Sequence, residues 1–184
     1  MTRVQTLLLA LLLLMAAAGC IPAKDTKDDP NPAESNDEAQ IYAAAIREIH
    51  SIERARDLVY VVTTTEDMAI FDGQTAAAQL LSIDLQEAIA AELAGESFEL
   101  IWIKEFDDAA FDPANWRETP GWRIADGEGM VITLGNIYPQ EDGSVQLSFF
   151  MTCADLCGSG KNLVLTEDSN NWHVTDSVGP EIAS

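Results

Sequence analysis

The chain has 184 residues, 47% of them hydrophobic, and its 31 acidic and 10 basic residues give a formal net charge of −21. This length suits one domain with a short extension, large enough to fold without a disulfide. The charge excludes nucleic-acid binding through phosphate neutralisation, and its even spread favours a role in solubility over attraction of cations or a basic partner.

An apolar stretch from Leu7 to Ala18 follows Arg3 and ends at Gly19-Cys20. A short basic start, an apolar core and small residues before a cleavage site are typical of a secretory signal. The stretch is too short for a bilayer span, which needs ~20 apolar residues. An ordinary cleaved signal with an incidental cysteine is one interpretation.

With Cys20 directly after the small residues, this segment resembles the lipobox of bacterial lipoproteins. The resemblance implies that residues 1–19 are a signal peptide and that Cys20 is lipidated, with a diacylglyceryl group on its sulfur and an acyl chain such as palmitate on its amino group. Two or more acyl chains give stable anchoring, so we expect a membrane-attached envelope protein. Ile21, rather than Asp, follows the cysteine and favours the periplasmic side of the outer membrane, if the organism has one.

Residues 20–37 have the proline-rich, polar composition of a disordered tether. Ser35 and Glu38 form a capping-box pattern, which predicts a helix from about Glu38 to Arg56. Its apolar stripe would contain Tyr42, Ala45, Ile46, Ile49 and Ile52. We expect a single domain over residues 38–179 and a tail over residues 180–184.

The next elements follow from periodicity and turn signals. A β-branched run predicts a strand at 58–65, and Ser82 is the expected cap of a second helix that ends at Gly95. An apolar strand follows at 98–106. Two hairpins are then predicted, with strands at 130–138 and 145–152 around residues 141–143, and at 162–166 and 172–175 around residues 168–171.

This order predicts an α+β domain in which two helices cover one face of a mainly antiparallel sheet of about six strands. The order is loosely similar to cystatin-like and NTF2-like cones. No motif of either family supports that likeness.

Residues 107–127 show no periodicity, and loops of this length are uncommon unless they are functional or disordered. Aromatic side chains among carboxylates could anchor a binding partner, or they could pack against an open sheet face. The candidate binding residues of this loop are Asp107, Asp108, Phe111, Asp112, Trp116 and Trp122.

Cys153 and Cys157 remain as a pair in an oxidising compartment if Cys20 is lipidated. Residues four apart in a strand are ~13 Å apart, which is too far for a disulfide, but a turn brings them within reach. Because Gly158-Ser159-Gly160 follows, we expect a turn here, and we predict a disulfide that closes it.

The segment Phe149–Cys157 resembles the cysteine region of copper-delivering proteins of the Sco type, including the Asp between the cysteines. The resemblance implies copper binding by Cys153 and Cys157 with a distant histidine, and His173 is the only histidine downstream. The prolines of that motif are replaced by Ala154 and Gly158. Copper or zinc handling, or thiol redox chemistry, is therefore the alternative function.

No catalytic group is assigned, because the chain has no nucleophile elbow and no phosphate loop. His50 lacks the second histidine of a zinc helix and is interpreted as a boundary residue of the first helix. No cofactor is expected. The sequence thus predicts a lipid-anchored envelope protein with a non-enzymatic binding or structural role, the membrane and an envelope protein being the expected partners.

Overall fold

A computed structural model describes residues 32–52, 56–67, 76–105, 129–154 and 157–183 of the chain. These residues form two helices and seven strands. In chain order the elements are α1 (Pro32–Ile52), β1 (Leu58–Val62), α2 (Ile83–Glu92), β2 (Glu99–Ile103), β3 (Gly129–Leu134), β4 (Tyr138–Pro139), β5 (Val145–Ala154), β6 (Cys157–Asp168) and β7 (Asn171–Ala183).

Helix α1 begins earlier than its sequence pattern predicts. It starts at Pro32, so Ser35 lies inside the helix and is not its cap. Proline suits the first helical position because its fixed φ is helical and its missing N–H would have no partner there. The predicted stripe is buried from Tyr42 to Ile49, but Ile52 at the end of the helix is 41% exposed.

Helix α2 agrees with its predicted signals. Ser82 is the N-cap, and its hydroxyl accepts a hydrogen bond from the Leu85 N–H at 3.2 Å. Leu85 and Ile89 form its buried face, and Gly95 follows the helix with φ of 98°.

The α+β class with two helices is confirmed, but the sheet is mixed and has seven strands among the described residues. Its order is β2-β1-β3-β5-β6-β7, with β4 paired to β5. Strand β1 pairs in parallel with both β2 and β3, and the remaining pairs are antiparallel. The prediction of a mainly antiparallel sheet of about six strands is therefore partly wrong, because β1 pairs in parallel on both sides and the sheet has a seventh strand in the described part of the chain.

The parallel half follows from chain connectivity. Helix α2 lies between β1 and β2 in the chain, and a helical crossover returns the chain to the start of the sheet, so that the next strand runs in the same direction. The order strand, helix, strand is compatible with this crossover, but element types alone do not determine that β1 pairs with both β2 and β3.

The antiparallel half contains the two predicted hairpins. The predicted strand 130–138 is divided into β3 and β4, whereas β5, β6 and β7 are longer than expected. Residues Glu141-Asp142-Gly143 turn between β4 and β5, and the Gln140 N–H donates to the Ser144 carbonyl oxygen at 2.8 Å. Ser169 and Asn170 have φ of 52° and 65° between β6 and β7, as a two-residue hairpin turn requires. Strand β7 continues to Ala183, so most of the expected tail belongs to the sheet.

Both helices pack on the same sheet face. The alternating residues Leu147, Phe149 and Met151 of β5 point to this face and are buried, as predicted. They share one core cluster with Ile46 of α1 and Ile89 of α2. A second, smaller cluster on the opposite face contains Tyr60, Val62, Ile103 and Val131. Neither helix of the described ranges is long and apolar enough to cross a bilayer.

Candidate functional site

Some of the residues singled out in the sequence are not among the described residues. The lipidation site Cys20 lies outside the described residues, and the candidate binding loop does as well. The loop residues concerned are Asp107, Asp108, Phe111, Asp112, Trp116 and Trp122.

The two cysteines lie together where β5 meets β6. Their Cα atoms are 5.3 Å apart, the sulfur atoms are within bonding distance, and Ala154 pairs with Cys157 across the hairpin. Cys153 is buried against the core. This geometry fits the range that a disulfide needs, so the predicted pairing is compatible with the fold.

The structure does not bring His173 to the cysteines. His173 is exposed on β7 and pairs with Thr166, which is nine positions along β6 from Cys157. Nine residues of strand span ~30 Å, far beyond a shared metal ion. Within the described ranges, no group of three or more His, Cys, Asp or Glu side chains is placed to hold a metal.

His50 is half-buried beside Ile49 of the apolar stripe, in the last turn of α1. Its Nε2 is 2.8 Å from the Arg56 carbonyl oxygen, and its ring centroid is 4.5 Å from that of Phe98. These contacts give the ring a structural position between α1 and the sheet.

A cleft with a volume of about 970 Å³ opens at the carboxyl ends of the parallel strands. In sheets with parallel strands, ligands bind outside these strand ends, and cavities of roughly 300–1,000 Å³ are typical of binding sites. Strands β1 and β2 supply two walls, and the N-terminal end of α2 supplies a third. The lining residues are Val62, Thr63, Thr64, Thr65, Glu66, Ala78, Leu80, Leu81, Ser82, Ile83, Gln86, Trp102, Ile103, Lys104, Glu105 and Thr133.

Two large apolar side chains stand exposed at this cleft. Leu80 is 74% exposed and Ile83 is 71% exposed, more than any other large hydrophobic residue in the part of the chain that the structure describes. Both line the cleft together with Trp102. Adjacent exposed apolar groups beside a cavity are typical of a contact surface.

The wall that carries Thr65, Glu66 and Ala78 is fixed from behind by Asp67. One carboxylate oxygen of Asp67 accepts a hydrogen bond from the Asn136 N–H at 2.8 Å, and the other accepts from Asn136 Nδ2 at 2.9 Å and from the Ala76 N–H at 3.0 Å. The Tyr138 hydroxyl donates to the second oxygen. Asp67 thereby joins the end of β1, the residues before α2 and the residues after β3.

Two neighbours complete this arrangement, which we call the Asp67 network. The Thr65 hydroxyl donates to Asn136 Oδ1 at 2.8 Å. A Cβ at Gly135 would lie 2.9 Å from an Asp67 carboxylate oxygen and closer still to the Ser148 hydroxyl, so the close approach needs glycine.

Burial and hydrogen bonding shift the pKa of Asp67 in opposite directions. Burial raises the pKa of the carboxyl group, but the bonds from Tyr138, Asn136 and Ala76 stabilise the charged form and together lower it. The pKa of Tyr42, whose hydroxyl donates to the Gly135 carbonyl oxygen at 3.4 Å, is raised first by burial and then by the charges of Glu38 and Asp67.

Sequence reasoning missed the cleft. A usable signal was present, because the order strand, helix, strand between residues 58 and 103 would suggest a parallel pair with a crevice at its carboxyl end. Glu105, the last residue described before β3, lines the cleft and is two positions before Asp107 of the predicted binding loop.

Protein-family models, curated proteins and solved structures contain no match to this chain. The loose likeness of the element order to cystatin-like and NTF2-like cones thus stays a prediction.

Proposed function

We propose that this is a lipid-anchored protein of the bacterial envelope whose domain binds a partner protein, without catalysing a reaction, through the cleft at the carboxyl ends of β1 and β2. The observation that carries the proposal is the pair of exposed apolar side chains, Leu80 and Ile83, beside the cleft. When a partner covers apolar surface, the complex is stabilised by roughly 25 cal/mol per Å² of apolar surface removed from water.

The anchor supports the same role. Cys20 precedes the first residue of α1, Pro32, by twelve positions in the sequence. A chain of that length reaches at most ~40 Å when extended, which keeps the domain near the membrane surface and near other envelope proteins.

The anchor is tested by Cys20→Ala. We expect the wild-type chain in the membrane fraction with incorporated palmitate, and the variant released without label, because no acyl chain can then be attached at this position. A variant that stays in the membrane after signal cleavage contradicts the lipid anchor.

The cleft is tested by in-cell photo-cross-linking, with benzoylphenylalanine in place of Ile83. We expect a discrete cross-linked protein, since this side chain would be covered by the partner. Val178 is the matched control, because it is also an exposed apolar residue but lies on β7 and does not line the cleft. Equal products at both positions, or none at position 83, contradict the proposal.

A further inference from the structure

A short extended segment before α2 continues the sheet beyond the end of β2. The Thr65 N–H donates to the Gln79 carbonyl oxygen at 2.8 Å, and the Leu81 N–H donates to the Thr63 carbonyl oxygen at 2.8 Å. Thr64 and Leu80 are the antiparallel bridge pair between these two bonds. In such a pair the central residues do not bond each other, so the N–H and C=O of Leu80 point away from Thr64.

The direction of these groups follows from the neighbouring bonds. The Thr63 N–H donates to Ile103 of β2 at 2.8 Å, whereas the Glu66 N–H donates to Leu134 of β3 at 2.8 Å. The backbone N–H and C=O groups of Thr63 and Thr65 therefore point towards the β2 side, where residues 79–81 lie. The outward groups of Leu80, and of Ala78 by the two-residue period of a strand, have no backbone hydrogen-bond partner among the described residues, and they form the edge of the sheet at the cleft. We call residues 78–81 the cleft edge.

The sheet ends at β2, which the cleft edge continues, and at β7 on the other side, and the cleft edge and β7 differ in the groups that would block an added strand. Natural edges are blocked by charges, prolines and bulges. Strand β7, at the far edge, contains Asp176, Pro180 and Glu181, and its pairing with β6 has two register shifts. The cleft edge has the sequence Ala78-Gln79-Leu80-Leu81, with no charge and no proline.

The charge of the molecule limits what can occupy this edge. The described lining of the cleft carries two carboxylates, Glu66 and Glu105, and one ammonium group, on Lys104. With this local excess of negative charge and a net charge of −21, a second copy of the chain is repelled, while a segment that bears lysine or arginine is attracted. Alternate side chains of an added strand point to one face, so apolar residues could contact Leu80 and Ile83 while basic residues face the other side.

We infer that the cleft edge binds an extended, basic and apolar segment of the partner as an added β-strand, an inference that rests on the proposed function. Main-chain hydrogen bonds to Leu80 and Ala78 then supply much of the affinity, and the cleft supplies the contacts for alternate side chains.

The test uses the full chain in zwitterionic lipid nanodiscs and isothermal titration calorimetry with a synthetic peptide that alternates lysine and valine. Leu80→Pro removes the outward N–H but leaves both inward bonds, whose groups belong to Gln79 and Leu81. Leu80→Ala is the matched control, because it removes the side chain and keeps the N–H. A glutamate–valine peptide and a lysine–valine peptide N-methylated at alternate residues are the peptide controls.

We expect the lysine–valine peptide to bind, Leu80→Pro to weaken it about tenfold or more (~1.4 kcal/mol), and Leu80→Ala to weaken it less. The N-methylated peptide, which cannot donate to the edge, should lose binding in the same way even if Leu80→Pro fails to fold. Equal binding of the native and N-methylated peptides overturns strand addition. If neither peptide binds while the position-83 cross-link persists, this inference fails and the proposed function stands. If no cross-link forms at position 83, both the proposed function and this inference are contradicted.

Discussion

At the residue scale, Asp67 holds together segments that are far apart in the sequence. Its partners Asn136 and Tyr138 are 69 and 71 positions away. Because the same network binds the Thr65 hydroxyl and the Ala76 N–H, this carboxylate contributes to holding the wall of the cleft in place. The free energy of unfolding should therefore respond to its charge.

Asp67→Asn tests this dependence. The pKa of Asp67 is lowered in the folded state, so its contribution is fully present above the unfolded pKa of about 3.9 and is lost as the pH falls through the folded pKa. We expect the free energy of unfolding of the variant to be ~1–2 kcal/mol lower at neutral pH, because both carboxylate oxygens accept hydrogen bonds and the amide nitrogen that replaces one of them cannot accept. The difference in free energy of unfolding between the wild type and the variant should become smaller below about pH 4. Urea titrations across this pH range measure it.

Tyr138→Phe provides the graded control. It removes only one donor to Asp67 and leaves the bonds from Asn136 and Ala76 in place. Its loss of stability should be smaller than that of Asp67→Asn. A difference between wild type and Asp67→Asn that stays constant down to pH 3 would mean that the charge of this carboxyl group has no role in stability.

Residues whose role is local could be predicted from the sequence. Ser82 acts three positions from its partner, and the alternation of Leu147, Phe149 and Met151 is visible within one strand. Asp67 could not be identified, because nothing in the neighbouring sequence points to Asn136. Its role exists only after β1 and β3 are paired.

At the element scale, the end of α2 at the cleft depends on its cap. Ser82→Ala leaves the Leu85 N–H without its acceptor, and we expect a loss of about 1 kcal/mol in the free energy of unfolding, measured by urea denaturation. Ser82→Asp is the matched variant, since its carboxylate can accept the same bond and suits the helix N-terminus. If the Ala and Asp variants are equally destabilised, the hydroxyl is not acting as a cap.

The β5–β6 turn gives a prediction about the cysteines. We expect intact mass after alkylation to show Cys153 and Cys157 blocked until a reductant is added. A cross-link that closes a loop this short contributes about 2 kcal/mol through the unfolded chain, so the Cys153→Ser and Cys157→Ser double variant should lose that amount. Free thiols in the untreated protein, with bound copper or zinc, would instead support the metal-handling alternative.

The mixed sheet marks where element-level prediction stops. Hairpins could be predicted because their turn residues, such as Ser169 and Asn170, are specific to a two-residue connection. The parallel pairing of β1 with β2 and β3 leaves no such local signal. The parallel pairing of β1 and β2 depends on the path by which α2 connects them, so it involves β1, α2 and β2 together.

At the scale of the whole molecule, the cleft is formed by segments that the sequence predicts separately, and none of these predictions by itself indicates a binding site. The threonines after β1, the cap of α2 and Trp102 of β2 meet only because β1 and β2 end at the same edge. The sequence also directed attention to residues 107–127, which are adjacent to the cleft along the chain but lie outside the described residues. The net charge, in contrast, follows directly from the amino-acid composition.

A net charge of −21 makes the folded state repel itself, since folding concentrates charges that the unfolded chain spreads over a larger volume. Screening lengths fall from ~30 Å at 0.01 M salt to ~8 Å at 0.15 M, which removes most of this repulsion. We expect the midpoint of thermal unfolding to rise by several degrees over that range of sodium chloride and then to level off. Potassium chloride should act identically, because screening depends on ionic strength and not on the ion. An unchanged midpoint would mean that the acidic residues are too far apart to oppose folding, and a rise with one cation alone would indicate a specific site for it.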